Sequence, residues 1–167
     1  MSNPFRNQVN GHLGKARWLL ESLKSSQEEA TSSRLGQAAL QESCAHQLQL
    51  VLQNFLREIA ENYQLPNAGQ IQNSQDLEAA LLAADKSPAE LAEIRTSQSE
   101  GWLGQMDRAF QRIGSPSSSA SSSLVQSAGM IQTKSLDSTD LDAGSLELWY
   151  YNLRELVDRQ REMMVEC

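Results

Sequence analysis

Cysteine and aromatic side chains are scarce in this chain of 167 residues. It has two cysteines, three each of Trp, Tyr and Phe, two histidines and four prolines. Cys44 and Cys167 form no Cys-x-x-Cys pair, which excludes a zinc ribbon or a thioredoxin-like motif and fits a reduced, cytoplasmic compartment. Long apolar runs are also missing. The most apolar stretch, Leu48 to Leu56, is interrupted by Gln49, Gln53 and Asn54, so no membrane span is expected, and the opening Met-Ser-Asn-Pro-Phe-Arg has no charged-then-apolar signal pattern. Positive charge is in deficit, with 14 Lys+Arg against 21 Asp+Glu and a net charge of −7, which disfavours nucleic acid and anionic lipid as partners. No period-two strand pattern, internal repeat, phosphate-cradling Gly-rich loop or Gly-x-Ser-x-Gly elbow occurs.

What is present is helical periodicity. Asn3 can cap exposed amides and Pro4 stands where a missing N–H costs nothing, opening a helix over 4–24. Phe5, Val9, Leu13, Ala16, Leu20 and Leu23 recur along it at steps of three and four. Residues 25–33 read as a connection, after which a second long helix carries Leu35, Ala38, Ala45, Leu48, Leu52, Phe55, Leu56, Ile59 and Tyr63 on its apolar face until Leu65-Pro66 stops it. A small helix is expected over 76–85 and a second from the capping box Ser87-Pro88-Ala89-Glu90 through Leu91 and Ile94. A third, capped by Ser99, places Trp102, Met106, Ala109, Phe110 and Ile113 on one face and ends at Gly114.

From 114 to 145 the composition turns Ser-rich and reads as a flexible linker, within which Met130 to Thr133 is the only candidate for a short docked segment. A final helix from Ser145 turns Leu146, Trp149, Tyr150, Leu153, Leu156, Val157 and Met164 inward. The expectation is a single all-α domain over 1–167, an antiparallel helical bundle. Two long N-terminal helices and the long C-terminal helix form its frame, with the short middle helices packed across it.

Candidate chemistry is thin. Glu42 and His46 are an i, i+4 carboxylate and imidazole, and His12 falls at a similar height on the preceding helix. The chain has no Glu-x-x-His, however, and His12 and His46 sit at different angles to their apolar faces, so ordinary boundary histidines and no metal or other cofactor are expected. Arg6 and His12 resemble the Arg, spacer, His pattern of HEPN-type ribonucleases, which would make them a catalytic pair. In that family the motif lies in a late helix, whereas here it sits in the first helix of an acidic chain. Cys44 has His46 two residues away, on another side of the helix, and reads as a small packing residue. Trp102, Phe110, Trp149 and Tyr150 are candidates to line a pocket, with core packing the plainer account of them.

Charge is unevenly placed. Residues 1–24 hold Arg6, Lys15, Arg17 and Lys24 against Glu21 alone, a local +3, and residues 25–98 sum to −6, so the first helix is expected to lie beside acidic ones. Gly11, Gly14 and Trp18 line the side of that helix opposite its apolar stripe. Each mid-helix glycine costs about 1 kcal/mol relative to Ala, which points to close approach by another element. That element is expected to be a second layer of the same bundle. The alternative is a homodimer or protein-partner surface centred on Trp18.

Over most of its length the chain resembles a domain-of-unknown-function family of small bacterial helical proteins. The likeness rests on the Asn-x-x-x-x-x-Leu pattern of the first helix, and on His46 to Pro66 with Glu58-Ile59-Ala60 and Tyr63-x-Leu65-Pro66. Trp102-Leu103 and the stretch Trp149 to Arg161 complete it. It implies a cytosolic helical bundle and carries no activity with it. The functional expectation is therefore a non-enzymatic interaction or accessory protein, the alternative being a ribonuclease-like or metal-dependent enzyme.

Overall fold

In a computed structural model, which describes residues 3–28, 33–86, 89–113 and 141–165, helix α1 spans Pro4–Glu28. Asn3 Oδ1 accepts from the Phe5 amide at 3.0 Å, so the cap read from the sequence forms. The helix runs a turn past residue 24. Ser25 and Ser26, expected to open the connection, instead donate their hydroxyls back to the carbonyls of Glu21 and Leu23 at 3.1 and 2.8 Å, as Ser22 does to Trp18 O, and stay inside the helix.

Helix α2, Arg34–Asn62, starts where Ser33 accepts from the Gly36 amide. Leu35 is a correction: it is 81% exposed, because it lies about 100° from the centre of the apolar stripe. At the far end Gln64 takes a left-handed φ of 53°, and the amides of Gln64 and Leu65 return to the carbonyls of Glu61 and Ala60. That is a Schellman stop, sealed by buried Leu65 ahead of Pro66.

Helix α3, Ser74–Ala83, begins two residues before Asp76 because Asn73 caps the Asp76 amide while the Asp76 carboxylate accepts from the Gln72 amide. Helix α4 covers Ala89–Glu100 and α5 covers Trp102–Ile113; Ser87, Pro88 and Gly114 lie outside the described residues. Ser99 does not cap α5. Its hydroxyl donates to Thr96 O within α4, and the break falls at Gly101. There a Cβ on Gly104 would stand 2.2 Å from Gln98 O, so the corner closes only over glycine.

Helix α6, Ala143–Val165, also starts early, because Asp142 Oδ1 accepts from the Ser145 amide at 2.7 Å. The last residues assigned to the linker therefore belong to this helix and its cap. Residues 114–140, with the Met130 to Thr133 segment, lie outside the described residues.

The described residues are all-α, with six helices, one 3-10 turn at Ala68–Gln70 and no strand. Cross-helix contacts fix how the long helices run. Asn3 reaches Glu58 and Asn62, His12 reaches Gln47 and Cys44 reaches Ala16, so α1 and α2 are antiparallel. Lys24 meets Glu147 and Asn10 meets Arg161, so α6 is antiparallel to α1 as well. Helices α3 and α5 pack on α2, α5 also touches α6, and α4 rests on α3 and α5. With neighbours on several sides, α2 is buried around most of its circumference. Leu48, Phe55 and Ile59 join Leu23 of α1 and Leu146 and Leu153 of α6 in the fully buried centre. Each such side chain contributes about 1.5–3 kcal/mol of burial.

Candidate functional site

The apolar stripe of α1 is spent on its own chain. Val9, Leu13, Ala16, Leu20 and Leu23, none more than 9% exposed, face α2 and α6. The opposite line stays bare. A Cβ added to Gly11 or Gly14 would meet no atom within 4 Å, and Trp18 is 62% exposed. Among the described residues no second internal layer covers this side of α1, contrary to the expectation. The short helices stack on α2 and α6, leaving the outer side of α1 uncovered by any described residue.

What remains there is a shallow depression of about 470 Å³ bounded by Gly11, Gly14, Lys15, Trp18, Leu19 and Gln47. Its floor is helix backbone without side chains, its wall is an indole and its rim carries one ammonium. Two glycines inside a helix forgo about 1 kcal/mol each relative to Ala, and among the described residues nothing offsets that loss by packing closely on them.

The charges around α1 divide between its own turns and its neighbour. Arg17 pairs with Glu21 one turn on at 2.9 Å, both exposed. Lys24 crosses to Glu147 of α6 at 2.6 Å, outside the acidic stretch 25–98 expected to lie beside this helix, and that hydrogen bond raises the Lys24 ammonium above its usual pKa.

The residues singled out for chemistry are dispersed. Arg6 is exposed, while half-buried His12 has its Nδ1 2.8 Å from Gln47 Oε1. Six residues apart on one helix, the two project about 120° from each other. Glu42 is exposed. The His46 ring stacks on Phe110 of α5, with centroids 6.1 Å apart and planes at 23°, so His12 and His46 serve different contacts. Among the described residues no group of three or more His, Cys, Asp or Glu side chains is placed to hold a metal ion. Cys44 is buried with its Sγ 3.8 Å from Ala16 O, and burial pushes its thiol up to about 12, far from the thiolate needed for nucleophilic work. Trp149 and Tyr150 are core residues, and Trp102 and Phe110 are half-buried against the same core.

One polar cluster escaped the sequence reading. Glu58 of α2 is 2% exposed, and Arg161 of α6 grips it with a two-pronged contact, Nε to Oε1 at 2.8 Å and Nη2 to Oε2 at 2.7 Å. The remaining Arg161 nitrogen donates to Asn10 of α1 at 2.9 Å, and Asn3 donates to Glu58 O, so one guanidinium and one carboxylate tie all three long helices at one end. The clue in the sequence is Glu58 standing seven residues after Val51, a charge within a broad apolar sector.

Among the described residues no helix is long and apolar enough to cross a membrane. Over residues 1–167 the chain matches a family described as a family of unknown function (DUF6586), and it belongs to that family. No curated protein and no solved structure matches it.

Proposed function

We propose that this member of the DUF6586 family acts by binding rather than by catalysis, and that its contact surface is the outer face of α1, occupied by the same face of a second copy. The observation that carries the reading is the pairing of an exposed indole with bare backbone on one line of one helix. Gly11 lies as far before the midpoint between Gly14 and Lys15 as Trp18 lies after it. Two α1 helices crossing there antiparallel set each Trp18 over the other copy's Gly11. A two-fold interface requires such self-complementarity, and a tryptophan seated over small residues is a typical anchor.

Charge works against the pairing: each copy is net −7, and Lys15 stands on the rim near the crossing point. Both repulsions are screened by salt, so the dimer is expected to tighten as ionic strength rises, whereas an acidic partner drawn to Lys15 would loosen. The net negative charge also supports a role away from nucleic acid. The reading places the protein in the cytoplasm, where the buried Cys44 thiol stays reduced.

Sedimentation velocity over a concentration series tests it. The native chain should show a reversible dimer, and Trp18→Ala should be monomeric, with an unfolding midpoint equal to that of the native chain at concentrations too low for it to dimerise. A native chain that stays monomeric throughout, or a Trp18→Ala variant that still dimerises, overturns the self-pairing. A different protein retained by the native chain and lost with Trp18→Ala would keep the surface and replace its occupant.

A further inference from the structure

A second cleft lies away from the outer face of α1. It opens between α2, α3, the end of α4 and α5, encloses about 550 Å³ and is floored by Leu50, Leu52 and Leu56. That volume falls within the range of small-molecule sites, about 300–1,000 Å³. Its walls are unusual in composition. Gln49, Gln53, Gln72, Gln75, Gln98 and Gln111 make up half of its lining, although glutamine accounts for only seventeen of the 167 residues. They arrive from four separate stretches of chain, so no single helix face explains their convergence.

The chemistry of that wall is selective. A primary amide both donates and accepts, which matches a hydroxyl group and favours neither cations nor anions. No Lys or Arg lines the cleft, so nothing there would hold a phosphate, and its single carboxylate, Asp107, is too little charge to hold a polycation.

Part of the wall is also oriented in advance. Buried Ser74 donates its hydroxyl to Gln98 Oε1 at 2.6 Å, which turns Gln98 Nε2 toward Asp107 Oδ2, a long 3.4 Å away. Burial raises the Asp107 carboxyl above its ordinary pKa, against the opposing pull of Gln98 and Arg108. A carboxylate that lines a cleft and has only a long contact from Gln98 Nε2 on Oδ2 is suited to accept from a ligand hydroxyl. At the mouth, the His46 ring is braced against Phe110 and offers a flat wall to a sugar-like ring.

We infer that this cleft binds a small uncharged polyhydroxyl molecule of saccharide size, held by the glutamine amides and Asp107 over the leucine floor. The inference is independent of the α1 surface.

The test is a titration of the isotope-labelled full chain with glucose, trehalose and myo-inositol, following the side-chain amide resonances of Gln49, Gln53, Gln98 and Gln111. Inorganic phosphate probes the excluded anionic chemistry, and uracil the competing case of a flat ring with amide groups that glutamines could also pair with. At least one polyhydroxyl probe should shift these resonances saturably while leaving the Trp18 indole signal in place. The double variant Gln49→Ala/Gln111→Ala should weaken that binding by about tenfold, two neutral hydrogen bonds being lost. Asp107→Asn should weaken it as well, with the fold intact by circular dichroism. No saturable shift with any of the three probes, binding of phosphate or uracil in their place, or unchanged affinity in these variants would each overturn the inference.

Discussion

The two sides of α1 differ in what the described residues do with them: one is covered and the other is not. Inward, Val9, Leu13, Ala16, Leu20 and Leu23 disappear against α2 and α6. Outward, Gly11 and Gly14 meet no described residue, and Trp18 is 62% exposed. The inner side is a continuous stripe in which large residues fill space. The outer side is a knob and a gap that no described residue fills. Packing among the described residues accounts for the first side and not for the second, which is why the outer side is read as a surface for something else.

The sharpest way to break this contrast is to attack the closure of the inner side. Arg161→Ala strands Glu58 as a buried charge and should cost about 3–5 kcal/mol in urea unfolding. Replacing both partners, Glu58→Leu with Arg161→Met, should recover most of that loss, because apolar groups of similar volume need no counter-charge. If the single and double variants are equally destabilised, the pair is a packing feature and not an electrostatic one. Leu23→Ala, at a position with no exposure, should cost about 3 kcal/mol by leaving a cavity.

On the outer side the same kind of measurement should reverse sign. Gly14→Ala adds a methyl to open space within a helix and should stabilise the monomer by about 1 kcal/mol, visible as a raised denaturation midpoint. Trp18→Ala should shift monomer stability by no more than about 0.5 kcal/mol, the smallest effect of the series. A loss above 2 kcal/mol, the scale of a core truncation, would mean that Trp18 packs inside the chain and that the two sides are alike.

Much of the helix plan was legible because its signals are local. Asn3 with Pro4, Ser33 and Leu65-Pro66 mark boundaries within a few residues of where they act, and the stripes of α1 and α6 repeat often enough to identify themselves. The misreadings have physical causes. Serines 25 and 26 look like a connection until their hydroxyls have helix carbonyls to bond, and Leu35 joins the stripe of α2 only if its angle is ignored. Ser99 resembles a cap, yet the corner is set by the space that Gly101 and Gly104 leave for α4.

For the surface of α1, periodicity identified the line of Gly11, Gly14 and Trp18. Which side of a helix its neighbours leave bare depends on where they stack, and no local pattern records that. The Glu58–Arg161 pair joins positions 103 apart, and the cleft glutamines are scattered from 49 to 111. Such groupings come into being only when the chain has folded.

The grip of Arg161 on Glu58 has a consequence for how the last helix finds its place. The inward residues of α6 recur every three or four positions, so sliding that helix by one turn, about 5.4 Å, would set one apolar side chain where another had been. Greasy surfaces alone discriminate poorly between such settings. A carboxylate sunk in α2 accepts only the setting in which a guanidinium arrives over it, with Asn10 of α1 waiting for the spare nitrogen. The ion pair thus works as a latch with one notch, spending little on overall stability and much on making α6 stop at a single position along its two companions.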